Sequence, residues 1–244
     1  MKLLRTLAYA FFALTLILWA FFYLPLFWFF DLIGRAETKE KLAWRFARRW
    51  GRLMILGSGS RVEMIGKENL PPGPVVVMGN HQSAFDIMLM LGYIEKPLAF
   101  IAKQETARYP IVSSWMRHLG CLFLDRQDAR QAVKVIAQGV ELLKNGASMV
   151  IFPEGTRSRG DSLLPFKKGS LKLALRSQVP IVPVSISGTY MIFEANNKRV
   201  TPAKVRLVIH PPVPTDGSAG DDSASLSEEV RQHIIRGIVS YDQL

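Results

Sequence analysis

His81 and Asp86, separated by Gln82-Ser83-Ala84-Phe85, are the residues in this sequence best suited to moving a proton. A carboxylate beside an imidazole fixes the ring tautomer and stabilises the imidazolium that forms when a hydroxyl gives up its proton, so such a pair activates an alcohol. On one continuous helix, residues five apart point about 140° away from each other. The two can therefore meet only if His81 lies on a loop and Asp86 in the first turn of the following helix, with Ser83 expected as the N-cap. The spacing Ser83-x-x-Asp86 also fits a helix-capping pattern, which would account for the aspartate without any catalysis. A lone histidine beside a strand is more often a satisfied polar residue than a base.

The same arrangement recurs along the chain. Polar and charged residues follow one apolar run after another: His81 and Asp86 after Val75 to Met78, Lys103 after Leu98 to Ala102, Asp125-Arg126 after Cys121 to Leu124, and Glu154-Gly155-Thr156-Arg157 after Met149 to Phe152. In open α/β sheets ligands bind outside the carboxyl ends of the strands. A base, carboxylates and several cations converging there suit proton removal beside a bound phosphate. Taken singly, Lys103 and Arg126 are more often solvated charges, and Pro153-Glu154-Gly155 more often a turn.

The elements that would position these groups begin after Gly57-Ser58-Gly59-Ser60. Strands are expected at 61–65, 75–78, 98–102, 121–124, 149–152, 181–186 and 205–209, and helices at 84–92, 111–119, 129–144 and 168–178. A terminal helix is expected to open at Ser225-x-x-Glu228, after a Pro/Gly/Asp-rich linker over 211–223. This alternation predicts an α/β domain over 58–244, a largely parallel sheet flanked by helices.

The chain has 244 residues, 49% of them hydrophobic, and a formal charge of +11. The length suits one substantial domain. The charge points to an anionic partner, which could be nucleic acid, a membrane surface or a phosphorylated substrate. The single cysteine, Cys121, excludes an internal disulfide and sits in an apolar run, as a core residue would. The histidines and that cysteine have no spacing suited to zinc, so no metal is expected.

The N-terminus favours the membrane over nucleic acid. Residues 6–30 are uncharged, mostly apolar and aromatic, and long enough for a helix to cross about 30 Å of hydrocarbon. No small-x-small cleavage site follows, so the segment reads as a retained anchor and not a secretory signal. Pro25 leaves open whether it spans the bilayer or re-enters it. Over 38–56, Leu42, Phe46, Trp50, Leu53 and Met54 recur at helical spacing, interleaved with Arg45, Arg48, Arg49 and Arg52. That pattern suits a helix at an anionic lipid interface, the alternative being one packed on the domain. Residues 1–57 are thus expected to form an anchoring unit.

Asn80-His81-x4-Asp86, Phe123-Leu124-Asp125-Arg126, Phe152-Pro153-Glu154-Gly155-Thr156-Arg157-Ser158 and Val179-Pro180-Ile181-Val182-Pro183-Val184 resemble, in order, the four motifs of the glycerolipid acyltransferases. The likeness covers roughly residues 60 to 190, and Phe166-Lys167-Lys168-Gly169 adds to it. It is closest to the bacterial branch that acylates lysophosphatidic acid. The resemblance implies a membrane-associated enzyme in which His81 deprotonates the lysolipid hydroxyl that attacks an acyl thioester of coenzyme A or acyl carrier protein. It also implies that Asp86 orients His81, that Lys103, Arg126 and Arg157 bind the substrate phosphate, and that Glu154, Gly155 and Thr156 shape the phosphate site. The fourth motif is expected near the acyl chain. The implied location is the cytoplasmic face of the inner membrane, with no cofactor beyond the thioester co-substrate.

A free hydroxyl is a poor nucleophile at neutral pH, so a positioned base contributes roughly 10² to 10⁴ in rate. No Gly-x-Ser-x-Gly elbow occurs, which favours direct transfer without an acyl-enzyme. The competing readings are an acyltransferase for glycerol 3-phosphate or a lyso-aminolipid, a hydrolase using His81 on water, and a non-catalytic basic membrane-binding protein.

Overall fold

The computed structural model describes residues 2–125, 127–167, 169–215 and 223–244. Its centre is a seven-stranded sheet: β1 (Arg61–Ile65), β2 (Val76–Gly79), β3 (Leu98–Lys103), β4 (Leu122–Leu124), β5 (Ser148–Ile151), β6 (Ile181–Ser187) and β7 (Lys204–Ile209), in the order β1-β7-β6-β2-β5-β3-β4. All neighbours are parallel except β6 and β7. The carboxyl ends of β2, β3, β4, β5 and β6 therefore share one edge. β2 and β6 are buried throughout, as strands covered on both faces must be.

Alternation along β2 divides the core. Val75 and Val77 face a cluster with Ile55 of α3 (Ala36–Gly57), Phe85 and Leu89 of α4 (Phe85–Tyr93), and Ile94 just beyond it. Val76 and Met78 face Leu143, Leu173 and Val230 on α6 (Ala129–Lys144), α7 (Lys172–Ser177) and α8 (Ser223–Gly237). An aromatic cluster of Phe27, Phe46 and Trp115 joins α2 (Leu24–Leu32) and α3 to α5 (Pro110–His118). The α/β class expected from the sequence is the class observed.

Several boundaries differ from the sequence expectation. The helix expected over 168–178 is shorter, because Gly169 adopts φ +90° and α7 starts only at Lys172. Lys168 itself lies outside the described residues. Ser225 and Glu228 lie within α8, which already includes Ser223, so they do not open it. Among its described residues the expected linker carries an ordered pairing, in which Val213 and Ile181 exchange both main-chain hydrogen bonds at 2.7 and 2.9 Å.

At the N-terminus, α1 (Lys2–Phe21) and α2 are separated by a turn at Phe22 and Tyr23, with Pro25 in the first turn of α2. Within Lys2–Leu32 an 18-residue window has a mean hydropathy of 2.1, and by length and composition the stretch is apolar enough to cross a membrane. Leu4, Leu7, Phe11, Phe22, Trp28 and Leu32 are exposed along it. The other side of α1 lies on the domain: the Tyr9 ring is 5.9 Å from that of Phe85, and Trp115 Nε1 donates to Ala20 O at 3.0 Å.

The buried face of α3 belongs to the domain, which was the alternative to a lipid interface. Phe46, Met54 and Ile55 are buried, whereas Leu53 is exposed. Arg52 Nε donates to Gly92 O at 2.7 Å, and Arg48 pairs with Glu95 at 2.5 Å. Gly51 and Gly92 let the two backbones touch: a Cβ on Gly51 would stand 2.5 Å from Met88 O. Arg45 and Arg49 remain exposed.

Candidate active site

The loop after β2 is locked before it reaches His81. Asn80 Nδ2 donates to Ile186 O at 2.8 Å, and Ile186 N donates back to Asn80 Oδ1 at 2.7 Å, fastening the loop to β6. His81 then presents Nδ1 to Asp86 Oδ2 at 2.7 Å. Asp86 lies in the first turn of α4 and is fully buried. The same Oδ2 accepts from Gln82 N at 2.7 Å and Ser83 N at 2.9 Å, while Oδ1 accepts from Thr189 Oγ1 at 2.5 Å. Asp86 thus binds the histidine and ties down the loop amides at once.

Amide groups can only donate, so Oδ2 is an acceptor and His81 Nδ1 carries the ring hydrogen against it. Nε2 is then the nitrogen with a lone pair. The ring lies flat on Phe152, with centroids 4.0 Å apart and planes at 14°. Contact on one face and a fixed Nδ1 leave Nε2 a defined direction.

Ser83 is not the N-cap. Ala84 holds that position without a side-chain cap bond. Ser83 Oγ accepts from Phe85 N at 3.1 Å and donates to Glu194 Oε2 at 2.6 Å. Ser83 thus still takes a first-turn amide, that of Phe85, while Asp86 and Glu194 take the amides of Ser83 and Ala84 before it.

The loop after β5 grips His81 from the other side. Glu154 Oε1 accepts from His81 N at 2.6 Å, Glu154 Oε2 accepts from Leu164 N at 2.8 Å, and Ser158 N donates to His81 O at 2.7 Å. Glu154 is 1% exposed, and burial pushes its carboxyl above the usual range despite the hydrogen bonds it accepts. With both oxygens on main-chain amides, Glu154 shapes the loop. Gly155 has φ +69°, and a Cβ there would meet Lys167 Cγ at 3.2 Å, so a side chain would be strained.

Thr156 and Arg157 are exposed at the edge of the site. Arg157 Nη1 is 3.1 Å from Glu194 Oε1, which also accepts Ala84 N at 3.0 Å. Lys103 is exposed at the carboxyl end of β3, which pairs with β5 on the side away from β2. Among the described residues no hydrogen bond or ion pair ties it to His81 or Asp86. Arg126 lies outside the described residues.

The fourth motif was expected near the acyl chain, but β6 is buried along its whole length and presents no open face to a ligand. It pairs with β2, clamps Asn80, and leads through Ser187 and Gly188 to Thr189. Sequence reasoning missed Thr189 and Glu194. The first follows a buried strand, the same signal that picked out the other loops. The second stands in a 3₁₀ turn, Glu194–Asn196, with no periodic pattern to mark it.

Cys121 is buried, and burial pushes its thiol up to about 12, which leaves no thiolate for nucleophilic attack. Among the described residues no group of three or more His, Cys, Asp or Glu is arranged to hold a metal ion.

The family model described as Acyltransferase matches residues 61–187. Human 1-acyl-sn-glycerol-3-phosphate acyltransferase alpha is 35% identical over 192 residues, covering 75% of this chain and 67% of that protein. The 1-acyl-sn-glycerol-3-phosphate acyltransferase of Borreliella burgdorferi is 30% identical over 180 residues, covering 73% of this chain and 72% of its own. Among solved structures, the 1-acyl-sn-glycerophosphate (LPA) acyltransferase PlsC of Thermotoga maritima superposes with a TM-score of 0.82 at 34% identity, over 97% of this chain and 95% of that one. The chain therefore belongs to the Acyltransferase family, together with the 1-acyl-sn-glycerol-3-phosphate acyltransferases that it resembles along most of its length.

Proposed function

We propose that the protein transfers a fatty acyl group from acyl-CoA or acyl carrier protein to the sn-2 hydroxyl of lysophosphatidic acid, giving phosphatidic acid. The observation that carries this reading is the 2.7 Å contact between His81 Nδ1 and Asp86 Oδ2, which leaves Nε2 as the base. Nε2 removes the hydroxyl proton as the oxygen attacks the thioester carbon. The tetrahedral intermediate collapses with cleavage of the carbon–sulfur bond, and the imidazolium returns its proton to the thiolate. Asp86 stabilises the imidazolium between these steps.

Arg157 supplies the cation for the lysolipid phosphate at the edge of the site, with Lys103, at the carboxyl end of β3, and Arg126 as further candidates. The exposed apolar side of α1 and α2 would lie in the bilayer, on the cytoplasmic side of the inner membrane. Lys2 Nζ donates to Asn196 Oδ1 at 3.0 Å, beside the turn that carries Glu194, so the anchor starts next to the site mouth. Both substrates then meet at one surface, which supplies proximity. The exposed Arg45 and Arg49 suit contact with anionic headgroups.

The test is acceptor profiling with the full chain in lipid vesicles, using acyl-CoA and acyl carrier protein thioesters in parallel. Phosphatidic acid should form from lysophosphatidic acid, with little acylation of glycerol 3-phosphate or a lyso-aminolipid. Release of free fatty acid at an equal rate without acceptor would replace the transferase reading with a hydrolase.

A further inference from the structure

Thr189 stands two residues beyond the end of β6, at the start of a 3₁₀ turn, and is fully buried. Its Oγ1 is 2.5 Å from Asp86 Oδ1 and 3.4 Å from Gln82 Oε1. A hydroxyl has one hydrogen, and both of these neighbours are oxygens. The charged carboxylate at the shorter distance takes it, because charge-assisted hydrogen bonds are the stronger ones. Thr189 can then offer Gln82 only a lone pair. Gln82 is itself fully buried, and its Nε2 has no partner. Turning the amide end over end directs that NH2 at Thr189 Oγ1, the orientation that the hydrogen count requires.

The result is a relay: Gln82 Nε2–H to Thr189 Oγ1–H to Asp86 Oδ1, with Asp86 Oδ2 accepting from His81 Nδ1. Oδ2 alone would act as a pivot, since the terminal torsion of aspartate is broad. A second donor on Oδ1 fixes the carboxylate plane and, through it, the imidazole. The parallel pairing of β6 with β2 is what brings residues more than a hundred positions apart into this contact.

We propose that Thr189 is a positioning residue for the reaction: its hydroxyl, oriented by Gln82, holds the Asp86 carboxylate so that His81 Nε2 points at the acceptor hydroxyl. This rests on the reading of His81 and Asp86 as the general base. Thr189 is fully buried and acts through Asp86, so its signature is a loss in kcat without a matching change in KM.

The experiment compares Thr189→Val, which keeps the shape and loses the hydroxyl, with Thr189→Ser, which keeps the hydroxyl. Each is assayed as the full chain in vesicles with lysophosphatidic acid and acyl-CoA, beside His81→Ala and Asp86→Asn, with melting temperatures measured on all. By analogy with partners that orient other functional histidines, Thr189→Val should lower kcat about 10- to 100-fold. The KM for lysophosphatidic acid should stay within about twofold, as expected for a group that acts after binding. Thr189→Ser should recover most of the loss. Should the valine variant not fold, Thr189→Ala against Thr189→Ser gives the same comparison. Normal kcat in the hydroxyl-free variants while His81→Ala is inactive would overturn the role of Thr189 alone. A folded serine variant as slow as the valine variant would do the same. Full turnover in His81→Ala and Asp86→Asn would overturn the general-base reading on which it rests.

Discussion

Arg157 is held by Glu194 across the mouth of the site, Nη1 to Oε1 at 3.1 Å, and that same carboxylate accepts the Ala84 amide at the start of α4 and the Ser83 hydroxyl. Glu194 therefore occupies a place where helix N–H groups favour an anion. It links the cation proposed for phosphate binding to the turn that carries Asp86. Arg157→Ala should raise the KM for lysophosphatidic acid by about 10- to 100-fold, the loss of a charge-assisted pair worth about 1.5 to 3 kcal/mol. Lysine should restore only part, lacking the planar fork of donors. Steady-state kinetics on the two variants check this, and an unchanged KM in the alanine variant would remove Arg157 from the site.

Truncation should distinguish the parts of the N-terminal region. Removing residues 1–34 takes away the exposed apolar surface and leaves α3 in place against α4. Removing 1–56 also strips Ile55 and Met54 from the core and uncovers the backbone of α4 at Gly92. The shorter deletion should release the protein from vesicles and reduce activity on bilayer-embedded lysolipid more than on a short-chain soluble analogue. The longer one should abolish both, because α4 carries Asp86. Equal losses on both substrates in the shorter deletion would assign α1 and α2, through the contacts of Tyr9 and Ala20, to folding and not to delivery.

Reading α3 shows where sequence stops being informative. An amphipathic stripe with interleaved arginines states that one face will be buried, but lipid and α4 ask for the same stripe. The deciding residues were Gly51 and Gly92, whose meaning lies in a contact between distant segments. The sheet was legible because its central strands are continuous apolar runs ended by polar loops, and the rule that ligands gather beyond such runs located His81, Asp86 and the Glu154 loop. Applied to β6, the same rule reaches Thr189. Ser83 stands one residue ahead of the N-cap Ala84, yet its hydroxyl takes the Phe85 amide, so the capping pattern marks the helix start to within a residue. Glu194 had no local signal at all, since its partners at Ser83 and Ala84 come from a different part of the chain.

Stability should fall on the acid side through His210. Its Nε2 is 2.7 Å from Ser185 Oγ, whose hydrogen goes to Ile234 O, also at 2.7 Å. The neutral ring thus donates from Nε2. Burial, with His233 and Arg236 nearby, lowers its pKa from 6.5 to about 4. Above about 6.5 neither the folded nor the unfolded chain binds this proton, and the contribution is fully present. Between 6.5 and about 4 the unfolded chain takes the proton and the folded chain does not, so stability is lost as pH falls. His210→Gln can still donate to Ser185 but does not titrate. Its melting temperature should drop less between pH 7.5 and 5 than that of the wild type; parallel drops would show that His210 is not the source.

The central claim is that His81 Nε2 removes the acceptor proton. Asp86→Asn is an ambiguous probe, because Asp86 also holds the amides of Gln82 and Ser83, and its loss should reduce folding stability along with activity. His81 is the cleaner one: its ring hydrogen-bonds Asp86 and stacks on Phe152, while the main chain at His81 makes the bonds to Glu154 and Ser158 that tie the loops together. The direct measurement is the turnover number of His81→Ala on lysophosphatidic acid and acyl-CoA at saturating substrate, with its melting temperature. The account predicts a loss of about 10² to 10⁴ in kcat in a protein that melts close to the wild type. A folded His81→Ala variant turning over within a few-fold of the wild type would contradict it.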